Sequence, residues 1–143
     1  MAEYDPENVF AKILRGEMPC FKVYEDDDTL CFMDIMPRGE GHCLVIPKMP
    51  YRNLLDGDAD SIAATHKIVQ KISKAAMQAF NAAGISILQF NEAGGGQEVF
   101  HYHVHIIPRQ EGEKIGKPGI MGDMDTIKAN GEKLADVVAA MSD

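Results

Sequence analysis

The chain has 143 residues, 45% of them hydrophobic and 25% charged, which is typical of a globular protein with room for one domain. Its formal net charge of −8 disfavours a long nucleic acid as partner, whereas a small nucleotide stays compatible with it. We expect a soluble, cytoplasmic protein, since no signal peptide or membrane helix is visible and the three cysteines form no CxxC pair.

The first half of the chain predicts a short helix followed by three strands. An apolar stripe at helical spacing within 9–14 predicts the helix, with Asp5 as its expected cap. The runs 21–24 and 29–33 predict a hairpin. The nearly continuous apolar run 41–47 predicts a central strand.

The second half predicts two helices with strands between them. A long amphipathic helix is expected over 58–83, with Asp60 or Ser61 as its cap. The alternating run 85–90 predicts a strand. A weakly amphipathic helix is expected over 125–141, with a loop before it.

His101, His103 and His105 alternate with aromatic or β-branched residues, a pattern typical of a strand. Alternate side chains of a strand share one face, so we expect the three imidazoles in one row. Three interpretations stay open: satisfied core histidines, a metal site, or a phosphate site. The glycine run 94–96 favours the last, because such a turn can offer backbone N–H groups to an anion beside a nucleophilic imidazole.

The segment 101–107, HYHVHII, resembles the signature of the histidine triad (HIT) family, in which histidine alternates with apolar residues and two apolar residues follow. The resemblance extends over four further segments: 9–13, 18–19, 32–35 and 41–48. It spans roughly residues 8–110 and implies an α+β fold, with an antiparallel sheet of about five strands and a long packed helix. We expect one domain over 1–143, with a C-terminal loop and helix at 111–143. The resemblance also implies a homodimer whose sheets continue into one another.

The resemblance implies a role for each polar residue of the site. His103 is expected as the nucleophile, His105 as a phosphate contact that assists proton transfer to the leaving group, and His101 as the residue that orients His103. His42 is expected behind them, fixing the protonation of the row. Asp34 is expected to accept hydrogen bonds from the ribose hydroxyls.

Further contacts are expected around the phosphate and the base. The phosphate site is expected to include the loop before the histidines and the third histidine: Asn91, Gly95, Gly96, Gln97, Glu98 and His105. An apolar slot for a purine is expected from the first helix and the strands that follow it: Val9, Phe10, Ile13, Met18, Phe32 and Ile35. No metal or cofactor is expected, because Asn8 and Ala11 stand where some bacterial relatives carry a zinc-binding CxxC.

The resemblance therefore implies a hydrolase that cleaves purine nucleoside 5′-phosphoramidates or related conjugates through a covalent nucleotidyl-histidine, releasing AMP or GMP. Ile107-Pro108-Arg109 departs from the animal members of the phosphoramidase branch, and dinucleoside polyphosphate hydrolases also carry Pro-Arg after the triad. A dinucleoside polyphosphate hydrolase is therefore the alternative. A nucleotide-binding regulator without a catalytic role is a third hypothesis.

Overall fold

The fold is an antiparallel five-stranded sheet with helices on both faces. The structure, a computed structural model, describes residues 1–142 of the chain. In chain order the elements are α1 (Val9–Leu14), β1 (Lys22–Glu25), β2 (Thr29–Met33), β3 (Cys43–Pro47), α2 (Ala59–Ala79), β4 (Gly84–Leu88), β5 (Val104–Arg109) and α3 (Met124–Ala140). The strands lie in the order β1-β2-β3-β5-β4. The predicted α+β class and strand number are therefore confirmed.

The two central hairpin strands, β2 and β3, separate two apolar clusters. Every residue of both strands is buried, because helices cover both faces. One face carries α2 and α3 and packs the larger cluster, which includes Cys31, Val45 and Ile72. The opposite face carries α1, where Phe10 packs with Phe32 and their neighbours. The second cluster forms the floor of the candidate site.

The first helix begins later than the sequence predicted. Asn8, rather than Asp5, is its cap, and the Asn8 side chain accepts the Ala11 N–H at 2.9 Å. Asp5 instead accepts the Glu7 N–H in the preceding turn. The last helical turn, ending at Leu14, packs over the sheet face that holds Phe32.

The long helices are fixed by caps and by one close approach. Asp58 caps α2 by accepting the Ser61 N–H at 2.9 Å, so the expectation of Asp60 or Ser61 as the cap was wrong. Helix α3 crosses β2 at Gly131, where a Cβ would lie 3.0 Å from Met33 Cγ. The absence of a Cβ at Gly131 therefore lets the helix pack closely on the strand. No helix within residues 1–142 is long and apolar enough to span a membrane.

The histidine row is not one continuous strand, contrary to the prediction. β5 begins at Val104, and its pairing with β3 runs only from Val104 to Ile106. Just before it, the Tyr102 N–H donates to the Tyr51 carbonyl at 2.9 Å instead of joining the sheet. His101 and His103 thus lie outside the strand, but the side chains still alternate: Tyr102 and Val104 pack in the cluster under α2, whereas His103 and His105 line the cavity on the opposite face and His101 contacts Tyr4.

Candidate active site

A cavity of about 430 Å³ opens on the α1 side of the sheet. This volume suits a small-molecule ligand. All six residues expected around a purine line it: Val9, Phe10, Ile13, Met18, Phe32 and Ile35. His42, His103, His105 and Asp34 line it too, so polar groups meet an apolar slot.

His103 has its reactive nitrogen set by the backbone. Its Nδ1 lies 2.6 Å from the carbonyl oxygen of His101. Because a carbonyl can only accept, Nδ1 carries the hydrogen and the lone pair of the neutral ring is on Nε2. Burial lowers the pKa of His103, so the ring is neutral near pH 7. Phe10 packs edge-on against it, with ring centroids 4.9 Å apart.

His101 supports its neighbour from outside the cavity. It is fully buried, and its Nε2–H donates to the Pro47 carbonyl at 2.8 Å. Its Nδ1 therefore accepts the Tyr4 hydroxyl at 2.7 Å. Burial lowers the pKa of His101 to about 4. His101 orients His103 through its carbonyl oxygen, while its imidazole holds the N-terminal segment and β3.

His42 and His105 form a chain of neutral imidazoles. The Arg38 backbone N–H donates to His42 Nδ1 at 2.9 Å, so the His42 hydrogen is on Nε2. That nitrogen lies 2.9 Å from His105 Nδ1, which must accept. The remaining hydrogen of His105 is therefore on Nε2. Burial, followed by the Arg38 charge, lowers the pKa of His42 to about 4.

His105 is kept neutral by the same surroundings. Burial is the main cause that lowers its pKa to about 3, with the neighbouring His103, His42 and Arg38 adding to it. The His103 and His105 ring centroids are 5.0 Å apart. His103 thus offers the lone pair of its Nε2, and His105 offers the N–H of its Nε2. His42 was expected behind the histidine row, and its ring lies against His105.

Asp34 closes the polar end of the cavity. Its Oδ1 accepts the Met36 N–H at 2.8 Å, and its Oδ2 lies 3.4 Å from His42 Nε2. Burial raises the pKa of Asp34 to about 6, the Met36 N–H opposes this, and the Glu98 charge adds to it. The carboxylate is thus mostly ionised near pH 7 and has lone pairs left to accept from a ligand.

Asp34, His42 and His105 also bring three metal-ligating atoms within 4.8 Å of one another. Their spacing approaches that of a zinc site, where ligands about 2.0–2.1 Å from the metal lie about 3.3 Å apart. However, His42 could ligate through Nε2 only with its hydrogen on Nδ1, where the Arg38 N–H already points. The Asn8 side chain is occupied as a helix cap, and Ala11 has no donor atom. These residues fit a chain of neutral imidazoles better than a metal.

The glycine loop is tightly closed on itself. The N–H groups of Gly95 and Gln97 donate to the Glu92 carbonyl, and that of Gly96 donates to the Ala93 carbonyl. These groups are therefore not directed at an anion, contrary to the expectation for Gly95 and Gly96. Gly96 lines the cavity with φ +99°, a left-handed conformation that favours glycine.

Two side chains expected on the phosphate instead hold this loop. Gln97 is buried: its oxygen accepts the Glu92 N–H at 2.8 Å, and its amide nitrogen donates to the Arg52 carbonyl at 2.8 Å. The Asn91 oxygen accepts the Leu54 N–H at 2.9 Å. The polar atoms of both side chains are therefore committed within the protein. Glu98, by contrast, is exposed and lines the cavity.

Glu92 explains why the loop needs so many contacts. Its backbone, at φ 65° and ψ 160°, is in a region that side-chain-bearing residues rarely adopt. Arg52 binds its carboxylate through two nitrogens, at 2.7 and 3.1 Å, and stacks over Phe100 at 3.9 Å. Through Arg52, the bidentate pair and the stacking together tie the loop to Phe100, the residue that precedes His101.

Sequence reasoning missed several residues that complete the cavity. Arg38, Phe90 and Pro118 line it, and Tyr4 reaches the buried His101. An arginine directly after a proline and shortly before a histidine was the only visible signal for Arg38. Arg109 of the Pro-Arg pair does not line the cavity; it donates to the Ser86 hydroxyl and the Glu113 carbonyl.

Comparisons with known proteins agree with this geometry. The family model described as HIT domain matches residues 15–112. Adenylylsulfatase HINT3 of Arabidopsis thaliana is 46% identical over 103 residues, which are 72% of this chain and 52% of that protein. The match thus spans about half of that relative. Adenosine 5′-monophosphoramidase hnt1 of Schizosaccharomyces pombe is 35% identical over 130 residues, 89% of this chain and 95% of that one.

The three-dimensional likeness is close as well. A crystal structure of a Hit-like protein involved in cell-cycle regulation from Bartonella henselae superposes with a TM-score of 0.91 and 48% identity. The superposition covers 95% of this chain and 99% of that one. The sequence match, the shared fold and the arrangement of His101, His103 and His105 lead to one conclusion: the chain belongs to the histidine triad family of HIT domain proteins.

Proposed function

We propose that this protein binds a purine nucleoside 5′-phosphoramidate, or a related nucleotide conjugate, and hydrolyses the bond between the α-phosphorus and its substituent. The observation that carries the proposal is the position of the His103 lone pair. The His101 carbonyl fixes it on Nε2, and the ring lies at one end of a cavity whose other end is apolar. A neutral, buried imidazole with a fixed lone pair is a competent nucleophile.

The shape of the cavity supports a nucleotide in one orientation. The base is proposed to lie in the apolar slot, between α1 and the sheet. The ribose hydroxyls would then donate to Asp34. The α-phosphate would lie beside His103 and His105, within reach of the N–H groups of Glu98 and Val99. Those two groups have no acceptor within residues 1–142, unlike the N–H groups earlier in the loop.

The reaction would then proceed in two displacements. In the first, a bond forms between His103 Nε2 and phosphorus while the bond from phosphorus to the leaving group breaks. When the leaving group is an amine, the departing nitrogen takes the electron pair and needs a proton, which His105 Nε2–H can donate. In the second, water attacks the phosphorus and returns a proton to His105 Nε2, the bond between His103 Nε2 and phosphorus breaks, and the mononucleotide is released.

The names of two relatives support a substrate of this class. One is called an adenosine 5′-monophosphoramidase and the other an adenylylsulfatase. Both names describe cleavage next to the phosphate of an adenosine nucleotide. The Pro-Arg pair was the sequence feature that favoured dinucleoside polyphosphates. Its Arg109 does not line the cavity, so it gives that alternative no support.

The test is release of AMP from adenosine 5′-phosphoramidate in the presence of a chelator, for the native protein, His103→Ala and His66→Ala. His66 is the matched control, because it contacts the Tyr102 hydroxyl on the α2 side and does not line the cavity. We expect activity in the native protein and the control, none in His103→Ala, and a transient adenylyl adduct by mass spectrometry. Loss of activity on chelation would refute the metal-free chemistry. Tight AMP binding without turnover of any conjugate would favour the nucleotide-binding regulator.

A further inference from the structure

Arg38 is fixed next to His42 by hydrogen bonds of both its backbone and its side chain. Its backbone N–H donates to His42 Nδ1, and its side-chain Nε donates to the Gly116 carbonyl at 2.9 Å. The Gly116 N–H in turn donates to the Arg38 carbonyl at 2.8 Å. The residue also lines the cavity that holds His103 and His105. The guanidinium is therefore fixed at the edge of the site rather than free in solvent.

The charge of Arg38 is not neutralised by the protein. No carboxylate within residues 1–142 lies at ion-pair distance from it, and Nε is the only guanidinium nitrogen with an acceptor there. Its charge acts on the His105 end of the cavity, where it helps to lower the pKa of both His42 and His105. The Glu98 carboxylate acts instead on Asp34, whose pKa it raises. The polar end of the cavity thus has a cationic side at His105.

The His105 side is where the leaving group departs in the proposed reaction, and leaving groups differ in what they need. An amine needs a proton as the bond from phosphorus to nitrogen breaks. A sulfate or phosphate takes the electron pair on oxygen and departs as a stable anion, so it needs a positive charge and no proton. A guanidinium with free nitrogens suits such a tetrahedral oxyanion, because it can donate two parallel hydrogen bonds.

We propose that Arg38 is a specificity-determining residue that binds an oxyanion attached to the α-phosphate, so that the site accepts nucleotides with an anionic leaving group as well as phosphoramidates. The inference rests on the proposed function for the location of the α-phosphate. A different residue then assists each of the two classes of leaving group. His105 supplies a proton for an amine, and Arg38 supplies charge for an oxyanion.

The kinetic test compares adenosine 5′-phosphosulfate, ADP and adenosine 5′-phosphoramidate as substrates for Arg38→Gln and Arg38→Lys. The matched control is Arg15→Gln, an exposed arginine paired with Glu17 and absent from the cavity lining. We expect Arg38→Gln to lower kcat/KM for the phosphosulfate roughly 10- to 100-fold relative to the phosphoramidate, since hydrogen bonds to charged groups are of that strength. Arg38→Lys keeps the charge without the fork and should fall between. ADP shows whether phosphate is accepted like sulfate.

A binding measurement separates this inference from the proposed function. Calorimetry with AMP and with the non-hydrolysable adenosine 5′-(α,β-methylene)diphosphate needs no turnover. Arg38→Gln should weaken binding of the diphosphate analogue about tenfold and leave AMP unchanged. An equal loss for both ligands, or for both substrate classes, would reduce Arg38 to a tether for the C-terminal loop and overturn the assignment. Absence of AMP release from every conjugate by the native protein would refute the proposed function instead.

Discussion

Replacement of His42 by glutamine and by asparagine tests whether the imidazole chain controls proton transfer. A glutamine amide reaches about as far as the imidazole Nε2, so His42→Gln keeps a donor to His105 Nδ1 and loses the acceptor for the Arg38 N–H. An asparagine amide reaches about as far as Nδ1, so His42→Asn keeps that acceptor and loses the donor to His105. Each variant thus removes one of the two hydrogen bonds that are 2.9 Å long in the structure.

The magnitude follows from the cost of the bond that is lost. His42 is 1% exposed, and the His105 side chain is 16% exposed, so water replaces a missing donor poorly. Leaving a buried acceptor unpaired costs about 1–3 kcal/mol. His105 avoids this cost by moving its hydrogen to Nδ1, which leaves Nε2 without a proton for the leaving group. We therefore expect kcat/KM for a phosphoramidate to be roughly 5- to 150-fold lower in His42→Asn than in His42→Gln.

The assay is steady-state AMP release at pH 7 with two substrates. The difference between the variants should appear with adenosine 5′-phosphoramidate and disappear with adenosine 5′-phosphosulfate, whose leaving group needs no proton. Urea denaturation serves as the control, because each variant loses one buried hydrogen bond and should be destabilised to a similar extent. Equal activity of the two variants on the phosphoramidate, or a higher activity of His42→Asn, would refute the proton chain.

Three further predictions concern stability and assembly. Tyr4→Phe leaves buried His101 Nδ1 unpaired and should lower the free energy of unfolding by about 1–3 kcal/mol in urea denaturation; an unchanged value would mean that water replaces the hydroxyl. Acid should destabilise the protein, because His42, His101 and His105 have pKa values of about 3 to 4 when folded and 6.5 when unfolded, so the unfolded state binds more protons as the pH falls from 6.5 to 4. Asp34, with its pKa raised to about 6, offsets roughly one of these three protons, which leaves a slope of up to about 2.7 kcal/mol per pH unit; a urea midpoint that does not fall between pH 7 and 4.5 would contradict it. Strand β4 lies at the sheet edge, so we expect light scattering at micromolar concentration to give a dimer of twice 15.7 kDa, and the mass of a single chain would contradict it.

The strands and the first helix were predictable because their signals are local, whereas the apolar slot was expected only from the resemblance to the family. Alternation and apolar runs gave the five strands, and the stripe around Phe10 gave the short helix. The structure places Phe10 of α1 against Phe32 of β2, at the slot that the resemblance implied. Helix caps were less predictable, since Asp5, Asp58 and Asp60 are equally good cap residues in sequence.

The start of the strand at Val104, within the histidine row, was not predictable from the alternation of the histidines. The pattern of His101 to His105 favours a strand, but strand structure also needs a partner. β3 provides one only as far as Val104, because the Tyr102 N–H bonds to Tyr51, a residue beyond the end of β3. Tertiary contacts therefore decided the backbone, as they often do for short strands.

The loop before the histidines shows the same limit for function. Asn91 and Gln97 have the right chemistry to bind a phosphate, and their type alone does not show whether their polar atoms are already used. Gln97 is used to hold the N–H of Glu92, whose backbone is strained and whose carboxylate binds Arg52, and Asn91 is used to accept the Leu54 N–H. Neither the strain nor the distant Arg52 leaves a signal in the local sequence.

Main-chain groups place the protons in this site, and this limits what substitution can change. The Pro47 carbonyl sets the hydrogen of His101, the His101 carbonyl sets that of His103, and the Arg38 N–H sets those of His42 and His105. A side-chain replacement leaves the main-chain carbonyl and N–H in place, except that proline removes the N–H. The lone pair of the proposed nucleophile is thus a property of the fold. Side chains at the rim, such as that of Arg38, are free to vary, so leaving-group preference can change while the attacking nitrogen stays the same.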